Sequence, residues 1–240
     1  MWRWARKATR RRWSSCARAG ATPVPRGGRL GLYHFAILLP DRPSLGRFVK
    51  HLDAIGVRAG MSDHFVSEAI YLSDPDGLGI EVYADRPRSI WRYDARQIFM
   101  VTEPLDVPSV LRAAGAEAWT GAPAGTVIGH VHLHVDDIAE ATRFYHEGFG
   151  FDKVVWSYPG ALFMSAGGYH HHLGTNTWAK GAQRAGEGDA RLIEWEVILP
   201  TVRDTTDASR SLGEAGVIAM PHTDGFSAVD PWGTGLRVRA

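Results

Sequence analysis

The stretch Leu32-Tyr-His-Phe-Ala-Ile-Leu-Leu-Pro-Asp41 reads as a β-strand of aliphatic and aromatic residues ended by a Pro-Asp turn. The layout returns at Ile128-Gly-His-Val-His-Leu-His-Val-Asp-Asp137 and again at Ile193-Glu-Trp-Glu-Val-Ile-Leu-Pro-Thr201. In the first two copies a histidine precedes the turn aspartate by the same interval, His34 before Asp41 and His130 before Asp137. An internal repeat outranks every other sequence signal because it sets the whole architecture.

Each opening strand runs into a helical stretch. Leu45, Phe48, Val49, Leu52 and Ile55 recur at helical spacing in the first copy, and Ile138, Ala141, Phe144 and Tyr145 in the second. Gly56 and Gly148 mark the expected helix ends. Short strands follow, closing after Asp74-Pro-Asp-Gly77 with Gly79-Ile-Glu-Val-Tyr83, at Ala166-Gly-Gly-Tyr-His-His-His172, and after Asp230-Pro-Trp-Gly233 with Leu236-Arg-Val-Arg239. The unit is therefore βαβββ, the class is α+β, and the modules occupy 30–88, 127–177 and 190–240. Residues 89–126 read as a linker with a helical patch at Val107–Ala116. A second linker, Asn176–Asp189, is Gly- and Ala-rich and reads as mobile.

Composition removes several alternatives. The chain has 240 residues, 45% hydrophobic and 22% charged, with a single cysteine, Cys16. An intramolecular disulfide is excluded, and the reading is a soluble, cytoplasmic globular protein. No apolar run approaches the roughly 18 residues of a membrane-spanning helix. The net charge of +1 conceals an asymmetry: residues 1–40 carry nine Lys and Arg and no acid, leaving 18 basic against 26 acidic residues in the rest. We read 1–29 as a basic, disordered tail. The acidic body argues against nucleic acid as a partner.

Strand alternation groups the chemistry. His34 shares a face with Ala36 and Leu38, Glu81 with Gly79 and Tyr83, and His130 with His132 and His134. Two histidines and one carboxylate on strands, with coordination positions left over, suit non-haem Fe(II). His34, His130 and Glu81 are the candidate ligands, because the two histidines recur at one point of the repeat and Glu81 lies on a closing strand.

The run His64-Phe-Val-Ser-Glu-Ala-Ile-Tyr71-Leu-Ser-Asp-Pro-Asp-Gly77-Leu-Gly-Ile-Glu81 resembles the signature of extradiol ring-cleavage dioxygenases, departing from it only at Ser62. Residues 30–240 resemble the catechol 2,3-dioxygenase-like branch of the vicinal oxygen chelate superfamily. The resemblance implies modules paired into half-open mixed β-barrels around a metal. The branch usually has four modules. Here we read the first as missing, so 30–88 is expected to pair with 127–177, and the last module to lack its partner. Glu194 and Arg237 stand where that module would need ligands.

The resemblance further implies Fe(II), with Mn(II) as the other metal, a small aromatic diol and O2 as substrates, and association into a homo-oligomer. His64 and Tyr71 would hydrogen-bond substrate or oxygen. His171, chosen over His170 and His172 by counting from Gly167 as Glu81 is counted from Gly77, would act as acid and base; His170 and His172 would face away, towards the surface. Trp91, Trp119, Tyr158 and Trp178 are candidates to wall the ring pocket. The other readings are a metal-dependent isomerase or thiol transferase of the same superfamily, and a truncated, non-catalytic binding protein.

Overall fold

The turn residue that ends each opening strand is the N-cap of the next helix. Asp41 accepts a hydrogen bond from the Ser44 backbone N–H at 2.8 Å, Asp137 one from Glu140 at 2.8 Å, and Thr201 one from Asp204 at 3.2 Å. Each cap satisfies a helix N–H that has no partner within the helix. The repeated Asp and Thr of the sequence are thus repeated helix starts.

The computed structural model describes residues 21–240; the basic run Trp2–Arg12, read above as tail, lies outside the described residues. The first module contains β1 (Gly31–Leu38), α1 (Arg42–Ala54), β2 (Gly60–Asp63), β3 (Ser67–Ser73) and β4 (Gly79–Asp85). A 3-10 turn at Arg88–Ile90 follows, then β5 (Tyr93–Asp94), β6 (Gln97–Ile98), β7 (Glu103–Pro104) and α2 (Val107–Ala113). The second module has β8 (Val127–His134), α3 (Ile138–Ala141), a π-helical turn at Thr142–Gly148, β9 (Asp152–Val155), β10 (Ala161–Ser165) and β11 (Leu173–Asn176). The third has β12 (Glu194–Ile198), α4 (Val202–Glu214), β13 (Met220–His222), β14 (Gly225–Val229) and β15 (Gly235–Arg239). These are the βαβββ modules of an α+β, vicinal oxygen chelate fold.

The chain divides into two compact units, with the boundaries falling inside β1 and β8. One unit holds residues 34–74 and 79–130. Its strands run in the order β7-β2-β3-β4-β1, with β1 and β4 parallel and the other pairs antiparallel. Alternation splits this sheet into two faces. Ile70, Val82 and Ala84 face α1 and pack with its Leu45, Val49 and Leu52. Burying each such large apolar side chain is worth about 2 kcal/mol. The opposite face carries His34, Ala36, Ala69, Tyr71, Glu81 and Tyr83.

Residues 89–126 are more than the linker read from sequence. The expected helical patch is present as α2, and Leu105 and Val110 enter the core under α1. β7 adds to the edge of β2, pairing Asp63 with Glu103. Trp119 packs on Phe48, and Trp91 is buried with its indole N–H donating to the Arg86 carbonyl. Both tryptophans serve as packing residues.

The other unit holds the described residues up to Tyr33, 75–78 and 131–240. Its sheets run β8-β11-β10-β9 and β12-β15-β14-β13. Residues 21–29, expected to belong to the tail, are tied down. Thr22 N–H donates to Gly188 O at 2.7 Å and Val24 N–H to Asp76 O at 2.8 Å. Residues 183–189, within the stretch Asn176–Asp189 read as a second linker, are the partner of 22–30 in these bonds. The third module has neighbours in this unit: α4 packs on the π-helical turn, and the Tyr145 hydroxyl donates to Asp230 at 2.8 Å.

Candidate metal centre

β1, β4 and the start of β8 bring three donors to one point. His34 pairs in register with Gly79 and Ala36 with Glu81, so the parallel ladder sets His34 and Glu81 on one face, two steps apart. His34 Nε2 lies 3.0 Å from Glu81 Oε2, His130 Nε2 lies 3.3 Å from the same oxygen, and the two nitrogens are 3.4 Å apart. All three side chains are buried, at 5%, 3% and 1% exposure for His34, Glu81 and His130.

This donor set fits a divalent ion. Neighbouring ligands at right angles, each about 2.1 Å from a metal, stand about 3.0 Å apart. Two imidazole nitrogens and one carboxylate oxygen aimed together would otherwise crowd their lone pairs in a dry environment. Among the described residues these form a group able to hold a metal, the donor atoms all lying within 4.8 Å of one another. Burial alone would raise the Glu81 carboxyl, but the imidazoles of His130 and then His34 outweigh it and hold it well below the usual carboxylate range.

His130 is positioned by what precedes it. A Cβ at Gly129 would sit 1.7 Å from the Tyr83 hydroxyl. Tyr83 is fully buried and its ring lies 5.0 Å from that of His130. Only glycine lets the β8 backbone come this close to Tyr83.

His64 and Tyr71, expected to bond substrate or oxygen, are brought into contact with each other. The Tyr71 hydroxyl and His64 Nε2 are 2.7 Å apart, and His64 Nδ1 is 2.6 Å from the Val101 carbonyl. A carbonyl only accepts, so Nδ1 carries the proton and Tyr71 donates to Nε2 in the neutral ring. The Tyr71 ring lies 5.6 Å from the His34 ring, and Tyr71 faces Glu81 across the ladder.

His171 lies in the other unit and is buried, its Nδ1 2.8 Å from Nδ1 of His170 and its ring against Phe163. Two readings near it are corrected. His170 is fully buried and packs beside Tyr169, so it does not decorate the surface, while His172 is half-buried, accepting from the Ala166 N–H and packing on Tyr169. The count that matched His171 to Glu81 also slips. Glu81 pairs with Ala36, two residues after His34, whereas the residue paired with His132, two after His130, is Gly174. Gly167 and Gly168 both take positive φ and lengthen the turn, so His171 precedes the closing strand. The ring of His132 fills the space at Gly174, where a Cβ would stand 2.8 Å from it. The third module shows no slip: Glu194 pairs with Gly235 and Glu196 with Arg237, placing Glu194 and Arg237 at the positions of His34 and Glu81.

The other two histidines of β8 share one amide. Asn176, fully buried, donates through Nδ2 to His132 Nε2 at 2.9 Å and accepts at Oδ1 from His134 Nδ1 at 2.7 Å. Tyr158 packs on Phe163, and Trp178 on His132 and Tyr33.

An acid-base cluster that the motif reading passed over supports the His64 corner. Glu68 is buried, with Arg42 forking onto both its oxygens at 2.5 and 2.9 Å and Arg86 at 3.2 Å. Its only sequence signal was a charged residue inside an otherwise apolar strand.

The model of the Glyoxalase/Bleomycin resistance protein/Dioxygenase superfamily matches residues 127–233. A protein named Catechol-2,3-dioxygenase from Bacillus subtilis (strain 168) is 45% identical over 215 residues, covering 88% of this chain and 75% of that protein. A candidate dioxygenase of known structure from Bacillus subtilis subsp. subtilis str. 168 aligns with a TM-score of 0.57 at 14% identity, over 95% of this chain and 65% of its own. The chain thus spans about two thirds of that structure. No helix among the described residues is long and apolar enough to cross a membrane.

Proposed function

Because the chain belongs to the glyoxalase/bleomycin resistance protein/dioxygenase superfamily, we propose that it is an extradiol dioxygenase, cleaving catechol-type aromatic diols with O2 at non-haem Fe(II). The observation that carries the reading is the convergence of His34, Glu81 and His130 on one buried point. The 45% identity to a protein named Catechol-2,3-dioxygenase supports the choice of reaction. Fe(II) held by these residues would supply the common binding point of diol and O2 and the electrons passed between them. Mn(II) suits the same donors.

The protein's own part is proton handling and orientation. Tyr71 already donates to His64 Nε2, and the Val101 carbonyl fixes that tautomer. A proton leaving a diol hydroxyl can pass to the Tyr71 oxygen as Tyr71 hands its own to His64. Burial of His34, Glu81 and His130 keeps bulk water off the reacting groups. His171 remains our second proton-handling residue; its burial and its bond to His170 support this without fixing its partner in the reaction. The lone Cys16 supports a cytoplasmic setting.

Product analysis tests the reaction. Fe(II)-loaded protein should consume one O2 per catechol and form a yellow ring-opened semialdehyde. Oxygen uptake without that product, or isomerisation of a thiol adduct in its place, would reject ring cleavage in favour of another chemistry of the superfamily.

A further inference from the structure

The histidine of the signature stands on a corner whose backbone is held against its preference. β2 ends at Asp63 and β3 begins at Ser67, leaving His64, Phe65 and Val66 to turn the chain. Phe65 has φ +66°. That is the left-handed region, which a bulky side chain rarely enters without being forced.

Several bonds hold the corner in place. Phe65 N–H donates to Asp63 Oδ1 at 2.8 Å, an Asp-capped turn. Arg86 Nη2 donates to the other oxygen, Asp63 Oδ2, at 2.6 Å. The Arg86 backbone N–H donates to Val66 O at 2.8 Å, so one arginine grips the turn through both main chain and side chain. Arg86 is itself steadied by buried Glu68 at 3.2 Å. The His64 N–H closes the turn on Ser67 O at 2.9 Å.

What this machinery sets is the direction of one ring. With Phe65 left-handed, His64 reaches the Val101 carbonyl with Nδ1 and the Tyr71 hydroxyl with Nε2. Relaxed to a right-handed or extended conformation, Phe65 would swing the preceding peptide, and the two bonds could not be kept together.

We propose that Asp63, clamped by Arg86, is a positioning residue for His64: its carboxylate holds Phe65 in the left-handed conformation that aims Nε2 of His64 at Tyr71. The catalytic consequence rests on the dioxygenase reading; the geometric one does not. An ion pair that merely stabilised the fold would leave the tautomer and the turnover of His64 indifferent to how Phe65 is held.

Three variants separate these roles. Asp63→Ala removes the clamp. Asp63→Asn keeps an oxygen for the Phe65 N–H. In Asp63→Ala/Phe65→Gly the clamp is absent, but glycine enters positive φ without penalty. The first readout is the 15N spectrum of the imidazoles in the full chain without added metal, with the His64 signal identified by its loss in His64→Gln. Wild type, Asp63→Asn and the double variant should show His64 protonated at Nδ1, and Asp63→Ala an average of both tautomers. The second readout is turnover of catechol by the Fe(II)-loaded enzyme. Asp63→Ala should lower kcat at least tenfold with KM within twofold and iron content unchanged, and the added Phe65→Gly should restore most of the loss. An unchanged tautomer and kcat in Asp63→Ala would overturn the proposal, as would a double variant as impaired as Asp63→Ala. Should wild type turn over no catechol, the dioxygenase reading fails while the imidazole spectrum still decides whether the clamp exists.

Discussion

Tyr71 and Glu81 stand directly opposite each other in the antiparallel β3–β4 ladder. That single register places a hydroxyl and a metal-competent carboxylate on the same face of one sheet, with His34 brought to that face by the parallel neighbour strand. A slip of one residue would turn Tyr71 into the core under α1. The pairing of β3 with β4 therefore decides which residues reach the site.

Tyr71→Phe isolates the hydroxyl. The ring beside His34 is kept, and the bond to His64 is lost. We expect kcat for catechol to fall about a hundredfold, the usual worth of one acid-base group, with iron content unchanged. Steady-state kinetics alongside metal analysis checks this. A fall in bound iron instead would make Tyr71 a structural support of the ligands.

Gly129→Ala should damage stability and metal binding together. The new methyl would overlap Tyr83, which is fully buried and cannot yield. We expect a loss of about 3 kcal/mol in urea unfolding and weaker Fe(II) binding, since the adjacent His130 must shift. Wild-type stability in this variant would mean the β8 backbone lies farther from Tyr83 than described.

Glu68→Gln leaves Arg42 and Arg86 facing a neutral amide in a buried position. Removing one member of a buried ion pair costs about 3 kcal/mol, and the unfolding midpoint should drop accordingly. The effect should resist added salt, because Glu68 is shielded from solvent.

Asp230 gives a pH dependence with a definite sign. Burial raises its carboxyl above the ordinary value, although bonds from Thr234, Tyr145, Trp232 and Gly233 pull the other way. Burial and then the neighbouring Asp230 charge push the Tyr145 hydroxyl well up, so Tyr145 stays protonated. Below the unfolded carboxyl value of about 3.9, both states hold the Asp230 proton and no penalty exists. As pH rises towards the raised folded value, the unfolded chain releases its proton first, and stability is lost across that window. Urea midpoints measured upwards from about pH 4 should therefore fall more steeply in wild type than in Asp230→Asn. Parallel curves would show that Asp230 ionises normally in the fold.

The strand positions of the candidate ligands were legible because two simple periods survive folding. Alternation along a strand and the fixed interval from turn glycine to closing strand located His34, Glu81, Glu194 and Arg237 in register. The same interval misplaced His171, because two consecutive glycines with positive φ stretched that turn. Residues 89–126 looked like a linker with one helical patch since two-residue strands leave almost no periodic trace. Type alone could not say what Trp119 and Trp178 pack against, because Phe48 for the one and Tyr33 and His132 for the other lie far away along the chain. The left-handed Phe65 left no mark either, since nothing in a phenylalanine announces it.

The central claim is that His34, Glu81 and His130 hold one iron. Anaerobic equilibrium dialysis against Fe(II), with protein-bound iron counted per chain, tests it most directly. Wild type should bind one equivalent, while His130→Ala, His34→Ala and Glu81→Ala, each still folded by circular dichroism, should bind almost none. One equivalent retained in His130→Ala would contradict the account.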